Sequence, residues 1–376
     1  MKFSVRRAIE LVLLAIWFPN PQAKSEPFLR QFAGLALAPL SWPVLLFSQR
    51  ARTRRIVTVE PGMPAVLIVG NLVAGGAGKT PATLAISASL NRAGFKVGLL
   101  CNAYRATSAV AQLVTVESLA CDVGDEALLL ARTSGLPVAS GRQRGEALKL
   151  LCKAHPELQV IVSDDGLQHY GLARSLEFVV FDSRGAGNRR LLPAGPLREP
   201  LEHVRQMDAV LLNEAAQSPI EHACQFHFRI QARALIPLNE FKRLGNPSTS
   251  IEIRNQAGRS AADELRIAVN RLGQLGEGRL LGIAGIAQPQ RFADSLSAIG
   301  LPCPVRSLGD HADLDGASLQ TIDADGIVMT AKDAVKLLNV DDPRCWVLIV
   351  EAEFEKNFLP WLLGTIEPLI ESPKHG

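Results

Sequence analysis

The chain has 376 residues, 47% of them apolar, with 30 glycines and a net charge of +3, which exceeds a single ordinary core and excludes an intrinsically disordered chain. Six cysteines (Cys101, Cys121, Cys152, Cys224, Cys303, Cys345) form no C-x-x-C pair, which argues against a disulfide framework or a metal cluster and fits a reducing compartment. The charge is uneven: residues 1–55 hold nine basic residues against Glu10 and Glu26, a net +7, leaving −4 for the rest, so the basicity belongs to an N-terminal arm and no nucleic-acid partner is expected.

The arm carries two apolar runs, 11–18 and 32–47, with Trp17 and Trp42 inside them and arginines on their flanks. Neither reaches the ~20 uninterrupted residues of a membrane span, and Pro39 and Pro43 break the second. An amphipathic segment lying in a membrane interface fits these lengths, with arginines facing anionic headgroups at about 1 kcal/mol each. Two other readings compete. One is a secretory signal peptide, for which no A-x-A site follows; the other is a helix pair packed on the protein's own core. The interfacial reading is preferred because the basic flanks need a partner.

Next comes Val66-Leu67-Ile68-Val69-Gly70-Asn71-Leu72-Val73-Ala74-Gly75-Gly76-Ala77-Gly78-Lys79-Thr80-Pro81. A run of β-favouring residues enters a glycine-rich turn, and Lys-Thr opens an amphipathic helix, which is the architecture of a phosphate-binding loop. Gly75, Gly76, Ala77 and Gly78 would present N–H groups to an anion, Lys79 would reach the outer phosphates, and Thr80 would hold Mg²⁺. The usual pattern has a glycine five residues before Gly78, where this chain has Val73.

Residues 96–100 form a second strand ending in Cys101-Asn102-Ala103-Tyr104-Arg105, so strand, helix and strand imply a parallel sheet. Gly124-Asp125-Glu126 precedes a helix at 127–132, followed by a short strand at 137–139 and a helix at 142–151. A strand at 160–163 finishes on Asp164-Asp165-Gly166-Leu167-Gln168-His169. Carboxylates at the carboxyl end of such a strand position Mg²⁺ in phosphate-loop folds, although Asp-Asp-Gly alone is also an ordinary turn. A strand at 177–182, a loop at 185–200 rich in Gly, Pro and Arg, and a strand at 207–213 follow, the last expected to close the first sheet.

Residues 225–232 alternate like a strand and 240–259 read as surface ribbon or linker. A second α/β rhythm then begins, with strands at 280–284, 326–330 and 345–350 and helices at 291–299, 318–324 and 332–338. The predicted organisation is a membrane-facing arm (1–55), a P-loop NTPase-type parallel-sheet core (56–213), and a linker with a second, smaller α/β lobe (214–376).

Taken together, the loop from Gly70 to Pro81, Gly124-Asp125-Glu126, Asp164 to His169, Gly187-Asn188 with Leu191-Leu192-Pro193-Ala194-Gly195-Pro196-Leu197-Arg198-Glu199-Pro200, Ala284-Gly285-Ile286 with Pro289 and Arg291-Phe292, Asp310-His311, and Met329-Thr330-Ala331-Lys332-Asp333-Ala334 resemble the tetraacyldisaccharide 4′-kinases, the lipid A 4′-kinases of Gram-negative bacteria. The likeness runs in order from roughly residue 40 to 338, and the family's loop shares the missing glycine at Val73. The resemblance implies an ATP- and Mg²⁺-dependent kinase, peripheral or monotopic on the cytoplasmic face of the inner membrane. It would phosphorylate the 4′-hydroxyl of a tetraacylated glucosamine disaccharide 1-phosphate.

Carried over residue by residue, Asp125 is the general base, oriented by His311, with Lys79 and Thr80 at the phosphates and metal. Asp164, Asp165, Gln168 and His169 surround the metal and the transferred group, and Glu126, Tyr104, Arg144 and Arg198 complete the site. Each has a plainer reading: Asp125 as a helix cap, His311 as a surface turn, Arg144 and Arg198 as solvated charges, Tyr104 as packing. One departure stands out: where the family has Ser-Arg-Gly-Tyr, this chain has Cys101-Asn102-Ala103-Tyr104. The rivals are a phosphate-loop kinase or ATPase with another acceptor, and a membrane-tethered nucleotide-binding protein without kinase activity.

Overall fold

The computed structural model describes residues 5–19, 34–53, 62–104, 106–108, 110–243, 261–275, 279–309 and 314–371. His311, Asp310, Arg105 and most of the expected ribbon at 240–259 therefore lie outside the described residues.

Among the described residues, twelve strands form one sheet: β1 (Ala65–Gly70), β2 (Val97–Cys101), β3 (Gln112–Val114), β4 (Val138–Ser140), β5 (Val160–Asp164), β6 (Leu176–Phe181), β7 (Ala209–Asn213), β8 (Gln225–Pro237), β9 (Leu280–Ala284), β10 (Val305–Ser307), β11 (Gly326–Thr330) and β12 (Cys345–Phe354). Their order is β10-β9-β11-β12-β8-β7-β6-β1-β5-β2-β4-β3. β1 lies between β5 and β6, parallel to both, and every residue of β1, β5 and β6 is buried. The apolar runs 66–69, 160–162 and 178–181 suit such strands because helices and loops cover both faces.

The strand at 207–213 does not close the first sheet. β8 adds to β7 in parallel, with Val210 opposite Gln225, and its 13 residues are long enough to pair also with β12. The second α/β rhythm is present as β9 to β12, but it is hydrogen-bonded into the same sheet. The β8–β12 pair is antiparallel, so strand direction reverses there while β12, β11, β9 and β10 run parallel to one another.

The helix Lys79–Arg92 buries Ala82, Ile86 and Leu90, four residues apart and so on one face. The tail returns to the first half of the sheet. Phe358, Leu362 and Ile366 of the helix Phe358–Glu371 are fully buried, and Trp361 sets its ring 5.8 Å from Phe178 and 4.7 Å from Phe226. Each of these aliphatic and aromatic anchors contributes about 1.5–3 kcal/mol by leaving water.

In the arm, a helix at Val5–Trp17 docks on the loop that follows β6. Trp17 Nε1 donates to the Pro193 carbonyl at 2.9 Å, and the Asn188 N–H donates to the Trp17 carbonyl at 2.7 Å. A second helix, Trp42–Thr53, follows a 3₁₀ turn in which Ser41 Oγ donates to the Leu191 carbonyl at 2.9 Å. Core packing thus accounts for one side of the arm. The other side leaves Ile9, Val12, Leu40, Trp42, Leu46 and Phe47 exposed, Trp42 and Phe47 each at 71%. Among the described residues no helix is long and apolar enough to cross a membrane.

Candidate active site

The turn after β1 is shaped by glycine. Gly75 and Gly78 have φ of 101° and 95°, and Gly78 takes the position just before the helix Lys79–Arg92. A side chain at Gly78 would be strained there, and its Cβ would lie 2.7 Å from Asn213 Nδ2. Lys79 Nζ reaches back over the loop to donate to Asn71 Oδ1 at 2.9 Å and to pair with Asp165 Oδ1 at 3.3 Å. Thr80 Oγ1 donates to Asp164 Oδ2 at 2.8 Å, while Thr83 Oγ1 donates to the other oxygen at 3.1 Å.

The two aspartates at the end of β5 are electrostatic opposites. Asp164 is 1% exposed, and burial, then the Glu126 charge, push its carboxyl up to about 6 against the Thr80 hydrogen bond. Asp165 follows in a left-handed turn, φ 50°. Burial would raise its pKa too, but Lys79, Arg198 and Arg144 outweigh it and hold the carboxyl well below the usual carboxylate range. A cleft of about 1,100 Å³ opens over the loop, and besides Gly75 to Thr80 its walls include Tyr104, Glu126, Asp165, Arg198 and Lys332. That volume exceeds what one small ligand requires.

The remaining sequence-predicted residues sit behind or beside this wall. Arg144 is not solvated: it is buried, donating from Nη1 to Ser163 Oγ at 2.5 Å and from Nη2 to the Asp165 carbonyl at 3.2 Å. Arg198 Nη1 lies 3.4 Å from both Asp165 oxygens and donates to Gln168 Oε1 at 3.2 Å. Gln168 in turn donates from Nε2 to Glu199 Oε1 at 2.8 Å, so it links Arg198 to a buried carboxylate. His169, beside it, is pushed down to about 4 by burial and then by the Arg144 charge, which makes it neutral near pH 7.

Asp125 occupies the first turn of the helix Asp125–Ser134, and Gly124, not Asp125, takes the capping position. Its Oδ2 lies 3.5 Å from Lys336 Nζ, and Glu126 Oε1 lies 3.0 Å from Lys332 Nζ. Both acids thus meet lysines from beyond β11, and Glu126 and Lys332 line the cleft. His311 lies outside the described residues. Where the chain departs from Ser-Arg-Gly-Tyr, Cys101 and Ala103 are buried, Asn102 lines the cleft and Tyr104 is exposed. Ala103 is not one of the residues with positive φ, so the turn here is compatible with alanine.

Asp182, Arg184, Asn213, Gln288 and Lys332 contribute to the site although none has a site role from the sequence, Lys332 standing there only within the Met329–Ala334 motif. Asp182 carried a signal, since it ends a buried strand beside the loop strand just as Asp164 does. Gln288 carried none.

A family model described as LpxK, tetraacyldisaccharide-1-P 4′-kinase, matches residues 33–367. The chain is 38% identical over 326 residues to a tetraacyldisaccharide 4′-kinase of Dechloromonas aromatica, covering 86% of this chain and 90% of that protein. A protein of the same description from Herminiimonas arsenicoxydans is 39% identical over 302 residues, covering 78% and 80%. Among solved structures, the apo form of LpxK from Aquifex aeolicus in complex with ATP matches at a TM-score of 0.68 and 22% identity, over 89% of this chain and 99% of that one, a likeness of fold. Glycine loop, paired aspartates and cleft thus occur in a chain that matches one family along nearly its whole length, and the protein belongs to the tetraacyldisaccharide-1-P 4′-kinase family.

Proposed function

We propose that this protein transfers the γ-phosphoryl group of ATP to the 4′-hydroxyl of a tetraacyldisaccharide 1-phosphate, the 4′-kinase step of lipid A biosynthesis. Supporting the reading above all is the convergence of Lys79, Thr80, Asp164 and Asp165 at the carboxyl end of β1 and β5 in a chain of this family. Phosphoryl transfer asks mainly for positioning and charge neutralisation. Lys79, now shared between Asn71 and Asp165, supplies a positive charge to the outer phosphates, and Arg198, which also pairs with Asp165, supplies a second.

Among the described residues no cluster of three or more His, Cys, Asp or Glu side chains could chelate a metal alone. A Mg²⁺ that arrives with ATP needs less, since phosphates and water fill most of its octahedron. The residues fit such an ion. Asp164 is a buried carboxylate that ionises reluctantly without a cation, and Thr80 is already aimed at it. Thr80 and Asp164 would hold Mg²⁺, with Asp165 beside them; when bound, the ion spreads the charge of the transferring phosphoryl group.

Asp125 takes the proton of the attacking hydroxyl in this mechanism, and His311 keeps the orienting role that the resemblance gives it. Tyr104, Glu126 and Arg144 complete the acceptor side, the first two on the cleft wall and Arg144 through the backbone of Asp165. Gln168 and His169 support the nucleotide side. Residues 1–55 act as a membrane-facing arm, 56–213 as the nucleotide-binding core and 214–376 as the covering lobe. The exposed apolar face of the arm fits an acceptor that is insoluble in water and a site of work on the cytoplasmic face of the inner membrane.

The test is γ-phosphate transfer to detergent-dispersed tetraacyldisaccharide 1-phosphate with Mg²⁺, comparing the unmodified protein with Asp125→Ala and Lys79→Ala. Product from the former and almost none from the variants is expected. Binding of ATP without lipid product would overturn the assignment and point to another acceptor.

A further inference from the structure

A loop that binds an anion through inward N–H groups turns the carbonyls of the same peptides outward, where they need donors of their own. Three consecutive carbonyls have them here. Asn71 Nδ2 donates to the Gly75 carbonyl at 3.0 Å, and Asn213 Nδ2 donates to that of Ala77 at 3.1 Å. Between them, the Gly76 carbonyl receives Gln288 Nε2 at 2.8 Å and Arg184 Nη2 at 3.2 Å. Each carbonyl shares a planar peptide with the next N–H, so these donors aim the N–H groups of Gly76, Ala77 and Gly78.

Asn71, Arg184 and Asn213 come from the half of the sheet that carries the loop. Gln288 comes from the turn after β9, in the other half. It is held there by the same carboxylate that holds Arg184: Asp182, 2% exposed, accepts from Gln288 Nε2 at 3.0 Å and from Arg184 Nη2 at 2.7 Å, and pairs with Arg291 Nη2 at 3.1 Å. Arg291 lies one turn beyond Gln288, in the helix Pro289–Ala298.

We propose that Asp182, Gln288 and Arg291 form a clasp through which the C-terminal half of the sheet orients the Gly76–Ala77 peptide of the phosphate loop. They act as positioning residues: they need not touch the nucleotide, and they make its affinity depend on the seating of the second half. The inference rests on the kinase reading for its activity readout, but not for its binding readout.

The experiment uses the full chain in detergent. Kinase rates are titrated in MgATP at saturating tetraacyldisaccharide 1-phosphate, then in the lipid at saturating ATP, and nucleotide affinity is measured directly with a fluorescent ATP analogue. Gln288→Ala and Arg291→Ala should each raise KM for ATP and the analogue's Kd about fivefold, the scale of one lost hydrogen bond, with KM for the lipid unchanged within about twofold. Arg291→Lys, which keeps the ion pair with Asp182, should recover most of the loss. Asp182→Asn removes a buried anion and can fail to fold, so the partly exposed Gln288 and Arg291 carry the decision. A folded Gln288→Ala variant with unchanged ATP affinity overturns the clasp, as does an equal rise in both KM values. If the unmodified protein makes no lipid product, the kinase reading fails, and analogue affinity alone still decides the clasp.

Discussion

Replacing Asp164 by asparagine should stabilise the metal-free protein at alkaline pH while abolishing phosphoryl transfer. The buried carboxyl titrates at about 6 rather than the ordinary 3.8, so the native state holds its proton more tightly than the unfolded chain does. Stability from this group is therefore complete below pH 3.8 and is lost as the pH rises through about 6. At 1.36 kcal/mol per pKa unit the loss is about 3 kcal/mol. Asparagine never ionises and escapes it. Against that gain, the carboxylate accepts from Thr80 on one oxygen and Thr83 on the other. An amide offers one acceptor, so one hydroxyl must turn, a loss of about 1 kcal/mol. The variant should be about 2 kcal/mol more stable than the parent at pH 8 and within about 1 kcal/mol of it at pH 4, where the parent's own carboxyl is protonated and likewise offers one carbonyl acceptor. Urea unfolding with a chelator present, at both pH values, reads the difference directly. A variant less stable than the parent at both would refute the account of Asp164 as an anion awaiting a cation.

Gly78→Ala places a Cβ 2.7 Å from Asn213 Nδ2 at a φ of 95°, and should weaken ATP binding at least tenfold in a nucleotide titration; intact affinity would mean that the turn tolerates a side chain. Arg144→Ala strips a buried donor from Ser163 Oγ and the Asp165 carbonyl, and should cost about 3 kcal/mol in urea unfolding, far more than removal of a solvated arginine. Thr80→Ala removes a hydroxyl aimed at the proposed metal position and should raise the Mg²⁺ concentration for half-maximal transfer; an unchanged Mg²⁺ titration would remove Thr80 from that role. Trp42→Ser combined with Phe47→Ser removes two rings that are each 71% exposed, and should lower partition into anionic vesicles tenfold or more while leaving transfer in detergent intact. Vesicle binding equal to the parent's would take this face out of the membrane argument.

What the sequence made legible was local. β1, β5 and β6 are buried on both faces, so their apolar runs stood out, and the phosphate loop was readable because strand, glycines, Lys79 and Thr80 are contiguous. The continuation of the sheet past Asn213 was hidden, because the alternation at 225–232 marks a strand without naming its partners, and β12 lies more than 100 residues on. Gln288 was invisible for the same reason: a glutamine in a turn has no local signature, and its partners Gly76 and Asp182 come from two distant strand ends.

The topology explains why these pieces meet. In an open parallel sheet, ligands sit off the carboxyl ends of the strands. Had β8 continued to a parallel neighbour, the turns after β9 and β11 would extend the same edge, several strands from the loop. The antiparallel β8–β12 pair instead reverses the second half, and its carboxyl ends turn toward those of the first. The contacts bear this out, because Gln288 after β9 reaches Gly76 after β1, and Lys332 after β11 reaches Glu126. Two carboxyl edges therefore face one cleft, one bearing the phosphate loop and the other bearing residues that hold it, an arrangement suited to joining a nucleotide and a second substrate away from water.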